Sequence, residues 1–380
     1  MGDSKQRIVW LDWLRVAACL MVMIVHSTEP FYLGGEGTLV LSRGDVLWAA
    51  GIDSFVRACV PLFLIASSFL LFPVQQPTGA FLRRRAVRIL PPLILWTLVY
   101  AFVWGEPVQN LKDLLLNFNL AAGHLWFVYM LIGVYLIMPL LSPWAEKVSR
   151  RELRAWILLW AATTLIPLVR DWAATEPLAM TIGPGGMKRQ ALFPLWGEAS
   201  WNTYGVFYYV SGMIGYLLIG LWFRRFARPL SWKQTLGTAL PLFAAGFAIT
   251  AGGFLRRVWI TTGGTFPVEG PIDLAIGWET TWCYDTPGVA MMAVAWILLF
   301  RKITADGGFY RRILRPVSEA SYGMYLAHML VLVLFSGWFR ALAWPTPVTI
   351  LATALCTFIT VAIAAVLIRR IPKAGRWIAG

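Results

Sequence analysis

Histidine exchanges protons near neutral pH, which suits it to act as a general base, and this 380-residue chain has three: His26, His124 and His328. Each sits in or beside a long apolar stretch. His26 follows Arg15 by eleven positions within the segment from Leu11 to Pro30. At about 100° per residue the two side chains return to one helix face, about 16 Å apart along the axis. An ionisable pair on one face of a membrane helix is costly unless that face lines a polar pocket or pathway, so the pair is a functional candidate. Glu29, three residues after His26, is placed to hold one ring nitrogen while the other faces a reacting group, with Pro30 as a potential helix break just beyond. His328 shares a face with Ser321 and Tyr325, at separations of seven and three. His124 opens an apolar stretch beside Trp126, where an interfacial aromatic belt is the simplest reading. For Arg15 the simplest role is a local ion pair with Asp12, one turn earlier.

The elements that must position these residues are membrane helices. The chain is 58% hydrophobic and 14% charged, with 21 Trp, 22 Phe and 12 Tyr, far from the balance of a soluble domain. The expected class is an all-α polytopic membrane protein with about ten spans. They fall near 11 to 30, 52 to 72, 86 to 104, 123 to 143, 155 to 170, 203 to 222, 235 to 254, 284 to 300, 318 to 340 and 346 to 368. The fifth and eighth are the shortest. With the N-terminus inside, 24 of the 33 basic residues lie on the cytoplasmic side, in clusters that begin at Lys5, Arg83, Lys147, Arg224, Arg301 and Arg369. That is the positive-inside asymmetry, and an even span count places the C-terminus in the cytoplasm as well. The net charge of +14 is spread over short loops beside span ends, so it reads as topology and no nucleic-acid partner is expected.

The first span carries Arg15 and His26 and no small-residue cleavage site, and is expected to be retained. Cys19, Cys59, Cys283 and Cys356 lack metal-ligand spacing and fall mostly within spans, so neither a metal site nor a disulfide framework is expected. A Cys59 to Cys283 bridge is left open. No repeat or appended soluble domain is visible, which gives one membrane-embedded domain over 1 to 380. The two longest connections, Asp171 to Asn202 and Leu255 to Cys283, fall outside and either cap a binding site or form plain surface.

Four motifs in order carry a resemblance. They are Leu11-Asp12-Trp13-Leu14-Arg15 through His26, then Arg85-Ala86-Val87-Arg88 before Ile89-Leu90-Pro91-Pro92, then His124-Leu125-Trp126-Phe127 leading to Tyr135 and Pro139, and last Ser321-Tyr322-Gly323-Met324-Tyr325-Leu326-Ala327-His328. Across nearly its whole length the chain resembles the acyltransferase 3 family of integral membrane acyltransferases. That family marks its first span with an arginine, ten residues and a histidine, and precedes its third with an Arg-x-x-Arg pair; Arg15, His26, Arg85 and Arg88 occupy those positions. One departure is Ala66-Ser67-Ser68, where relatives often carry Ser-Gly.

The resemblance implies transfer of an acyl group, usually acetyl, from cytoplasmic acyl-coenzyme A to a hydroxyl of a glycan or other envelope molecule, at the bacterial plasma membrane. His26 is then the catalytic base with Glu29 as its orienting carboxylate. Arg85 and Arg88, helped by Arg84, supply guanidinium forks suited to the donor's phosphates, although an arginine run beside a span is also a common topology anchor. Arg15 contacts the donor on the face that leads to His26. His328, Tyr325 and Ser321 either line the acyl passage or knit helices together. His124 and Trp126 are the lesser candidates, for acceptor binding. The expected partners are the bilayer, acyl-coenzyme A and the acceptor, with a homo-oligomer left open. Two rival classes are a transporter or flippase, in which the buried Arg and His form a relay, and a glycan polymerase or ligase that uses outer-loop arginines such as Arg256 and Arg257. Acetyl and succinyl both remain open as the group transferred.

Overall fold

The computed structural model describes residues 7–34, 37–104, 106–116, 120–173, 180–183, 186–189, 197, 202–372 and 374–380. Lys5 and most of the connection from Asp171 to Asn202 lie outside the described residues. Among those described, nine helices are long and apolar enough to cross a membrane, and a pair bent by 50° makes a tenth span if taken together. The fold is therefore all-α and polytopic. In chain order the helices are α1 (Val9–Thr28), α2 (Arg43–Val56), α3 (Cys59–Leu71), α4 (Thr78–Val103), α5 (Pro107–Leu116), α6 (Trp126–Lys147), α7 (Arg150–Thr163), α8 (Ile166–Ala173), α9 (Ile214–Arg225), α10 (Trp232–Thr262), α11 (Ile272–Trp278), α12 (Pro287–Phe300), α13 (Arg315–Ala341), α14 (Thr346–Arg369) and α15 (Ala374–Ala379). Four short strands, β1 (Gly37–Val40), β2 (Met180–Gly183), β3 (Gly186–Arg189) and β4 (Val268–Pro271), form two antiparallel pairs, β1 with β4 and β2 with β3.

Several spans start or stop away from the expected limits, for local reasons. The second is two helices, α2 and α3, and begins at Arg43, where the Ser42 hydroxyl accepts from the Asp45 amide as an N-cap. The third begins eight residues early, at Thr78, so the arginine run lies on α4 itself rather than before it. Arg85 and Arg88 thereby become neighbours on one helix face. The seventh, α10, opens on a capping box between Ser231 and Gln234 and closes at Gly263, whose φ of 59° suits a left-handed C-cap. Arg256 and Arg257 consequently sit within a helix and not on an outer loop. The connection from Leu255 to Cys283 is likewise ordered: it contains the end of α10, β4 and α11, and β4 pairs with β1 in the register Thr38 to Gly270.

α1 runs through the middle of the bundle and packs against α2, α3, α13 and α14. Its core-facing residues, among them Leu14, Ala18, Val22 and Val25, join one continuous apolar cluster with α3, α4, α6, α9 and α12. At two helix crossings the approach leaves no room for a side chain at a glycine. At the crossing of α3 with α9, a Cβ on Gly220 would lie 2.4 Å from the Cβ of Ser68, and the Ser68 hydroxyl donates to the Leu217 carbonyl at 2.6 Å. Ser68, within the Ala66-Ser67-Ser68 stretch, is thus accommodated by a glycine on the facing helix. The crossing of α10 with α12 rests on Gly246 against Gly288 in the same way.

Candidate active site

At the end of the bundle where α1 begins, α1, α3, α4, α6, α9 and α13 enclose a chamber of about 910 Å³. Five of its arginines converge from three helices and the chain before α1: Arg7, Arg15, Arg85, Arg88 and Arg224. Arg84 is exposed and lies outside the lining, so the helper role expected for it has no geometric counterpart. The Arg85 guanidinium stands 5.6 Å from the ring centre of Phe81 and 5.9 Å from that of Tyr135. Its Nε is buried without a hydrogen-bond partner among the described residues. A guanidinium fixed between two aromatic faces with a donor unspent is preorganised for an anion that brings acceptors with it.

Asp12 decides what Arg15 can do. Its carboxylate, 2% exposed, accepts from Arg7 at 2.6 and 3.0 Å, from the Tyr310 hydroxyl at 2.7 Å and from the Ser318 hydroxyl at 2.7 Å. Arg15 reaches it only at 4.0 Å. The simple ion pair therefore belongs to Arg7, and Arg15 presents its donors to the chamber. Burial opposes the charge on Arg7, but hydrogen bonds to Asp12 and Glu319 outweigh it and hold its pKa above the ordinary value.

Toward the far end of α1 the three histidines meet. His26 Nδ1 lies 2.7 Å from Glu29 Oε1: α1 ends at Thr28, and a single 3₁₀ turn over Glu29–Phe31 keeps the pair in contact despite Pro30. The His26 and His328 rings stand 5.2 Å apart, as do those of His328 and His124. His124, only 8% exposed, packs edge-on against Tyr100 with centroids 4.6 Å apart. The interfacial-belt reading of His124 gives way to a buried position in the cluster. Its neighbour Trp126 is half-buried and stacks on Tyr284 at 5.5 Å. His328 is fully buried, and its Nδ1 donates to the Tyr325 carbonyl at 2.5 Å. Because a carbonyl can only accept, Nδ1 carries the hydrogen, and in the neutral ring Nε2 is a lone pair. Among the described residues, the Nε2 atoms of both His124 and His328 are buried with no hydrogen-bond partner.

The polar stripe on α13 joins the two regions. Ser321 and Tyr325 line the chamber, while His328 belongs to the histidine cluster and the Tyr325 hydroxyl donates to the His124 carbonyl.

Behind His26 lies an ionic cluster that the sequence reading does not single out. Arg57 donates to both oxygens of Asp53 at 3.1 and 3.2 Å, to Glu279 at 3.4 Å and to the Trp282 carbonyl at 3.0 Å. Asp53 in turn accepts from Thr28 at 2.9 Å, and Glu279 from Tyr32 at 2.7 Å. This network fastens the His26–Glu29 turn at Thr28 to α2, and the chain just after it at Tyr32 to the turn after α11. Asp53 and Arg57 carried a usable signal, a charged pair four apart inside an apolar span. Glu279, in an expected loop, carried none.

All four cysteines are free thiols. Among the described residues no group of three or more His, Cys, Asp or Glu is arranged to hold a metal ion.

A family model described as "Acyltransferase domain" matches residues 8–369. No curated protein and no solved structure matches the chain.

Proposed function

The chain belongs to the acyltransferase 3 family, and from that premise we propose that it moves an acyl group, acetyl first among them, from a coenzyme A thioester to a hydroxyl of an envelope glycan or related molecule. The donor enters at the basic end, and the excess of Lys and Arg there supports reading that end as the cytoplasmic side of the membrane, in this proposal a bacterial plasma membrane. Its phosphates are held by Arg85 and Arg88, with Arg15 deeper in the chamber, because guanidinium forks match phosphate oxygens two at a time. The extended arm follows Ser321 and Tyr325 toward the histidines. There the acceptor hydroxyl gives its proton to His26 Nε2 as its oxygen attacks the thioester carbonyl. The new C–O bond forms, the C–S bond breaks, and the departing thiolate takes up the proton from His26. Glu29 on Nδ1 holds the ring in the tautomer whose Nε2 can accept and steadies the cation that forms.

The observation that carries this reading is the pairing of an arginine-lined chamber, in which Arg85 keeps a donor unspent, with a histidine held by a carboxylate toward the other end of α1, the two bridged by the Ser321, Tyr325 and His328 stripe on α13. The test uses purified full-length protein with acetyl-coenzyme A. Binding of the donor and slow release of free coenzyme A thiol are expected. Absence of both overturns the proposal.

A further inference from the structure

The chamber lining ends at Phe63, Phe127 and Tyr325, and includes none of the three histidines. Those aromatic rings close on one another. Phe63 and Phe127 have centroids 5.9 Å apart, and Phe127 and Tyr325 5.5 Å apart. Phe127 and Tyr325 are 8% and 7% exposed, and Tyr325 is tethered on the far side through its hydroxyl to the His124 carbonyl. Just past Tyr325 the His328 ring stands 5.6 Å away, with His26 5.2 Å beyond it.

Resting on the acyltransferase reading, we infer that Phe63, Phe127 and Tyr325 form a throat that sets which acyl group can reach His26: short and uncharged. A donor held by its phosphates in the chamber must pass its thioester between these rings. A two-carbon group then lies against the imidazoles at once, and each further carbon must displace a ring that is packed on both sides. The charges beyond the throat act in the same direction on an anionic acyl group. Glu29, Asp53 and Glu279 stand there against Arg57, whose guanidinium is already bonded to two of these carboxylates. The carboxylate of a succinyl group would arrive among like charges with no cation free of a carboxylate partner among those named. Phe127 is thus a specificity-determining residue, and Tyr325 fixes its position from the other side.

The experiment follows thiol release from acetyl-, butyryl-, hexanoyl- and succinyl-coenzyme A by the purified full-length protein. Wild type is expected to favour acetyl over butyryl by at least about 10-fold, since one or two methylenes in a fitted pocket are worth that much, and to reject succinyl. Phe127→Ala is expected to narrow the acetyl-to-butyryl ratio by about 10-fold, and the milder Phe127→Leu to shift it in the same direction. Succinyl stays excluded in both. Equal use of acetyl and butyryl by wild type, or an unchanged ratio in folded Phe127→Leu and Phe127→Ala proteins, overturns the throat. Succinyl turnover matching acetyl overturns the charge exclusion. If wild type neither binds nor cleaves any of the four, the acyltransferase reading itself falls, which is a different result from indiscriminate cleavage.

Discussion

At the scale of single residues, the organising fact is the division of labour among arginines. Arg7 satisfies Asp12, which leaves Arg15 facing the chamber, and Arg85 is braced by two rings with a donor unspent. Replacing Arg85 and Arg88 together with Gln is expected to weaken donor binding by about 10² to 10⁴, since charged hydrogen bonds contribute about 1.5 to 3 kcal/mol each. Titration of the purified double variant with acetyl-coenzyme A checks this, and unchanged affinity removes both from the site. Arg15→Lys is expected to recover little activity, because an ammonium cannot present a planar fork from a crowded helix face; full turnover would reduce Arg15 to a plain charge.

At the scale of elements, the site depends on how tightly its helices are clamped. Asp53→Ala leaves Arg57 with Glu279 as its one carboxylate partner besides the Trp282 carbonyl, and since stripping a buried charge of its partner costs about 3 to 5 kcal/mol, the partial loss here is expected to cost at most that. A lower unfolding temperature in detergent is the expected result, with activity falling further because the His26–Glu29 turn loses its anchor at Thr28. The α10–α12 crossing offers a paired test. A Cβ on Gly246 would lie 2.5 Å from the Gly288 carbonyl oxygen, whereas one on Gly252 of the same helix meets nothing within 4 Å. Gly246→Ala is expected to destabilise by about 1 to 3 kcal/mol and Gly252→Ala to be neutral or slightly stabilising.

These elements also show what the sequence could and could not reveal. Span cores were legible because twenty apolar residues in a row have few alternatives. Their ends were not: Ser42, Ser231 and Gly263 are ordinary polar or small residues until a helix uses them as caps. His26 with Glu29 was legible from spacing along one helix. The meeting of His26 with His124 and His328 was not, because it depends on how the first, fourth and ninth spans pack, and spacing within one segment says nothing about its neighbours. Glu279 escaped for the same reason.

At the scale of the whole molecule, the arginine-lined chamber and the histidine cluster lie toward opposite ends of one helix, α1, with an aromatic barrier between them. Such an arrangement makes sense if donor and acceptor approach from opposite sides of the membrane. On that proposal the basic end faces the cytoplasm, and a reporter fused after Gly380 is expected to read out as cytoplasmic, as is one fused before Met1. A periplasmic readout from either would invert or break the proposed path.

The most direct measurement compares wild-type and His26→Gln proteins, both purified, for donor affinity and for acyl transfer from acetyl-coenzyme A. General-base help is worth about 10² to 10⁴ in rate, so transfer is predicted to fall by that factor while the affinity for acetyl-coenzyme A, set in the chamber some 16 Å away along α1, stays as it was. A His26→Gln protein that transfers acyl groups at the wild-type rate would contradict the central claim.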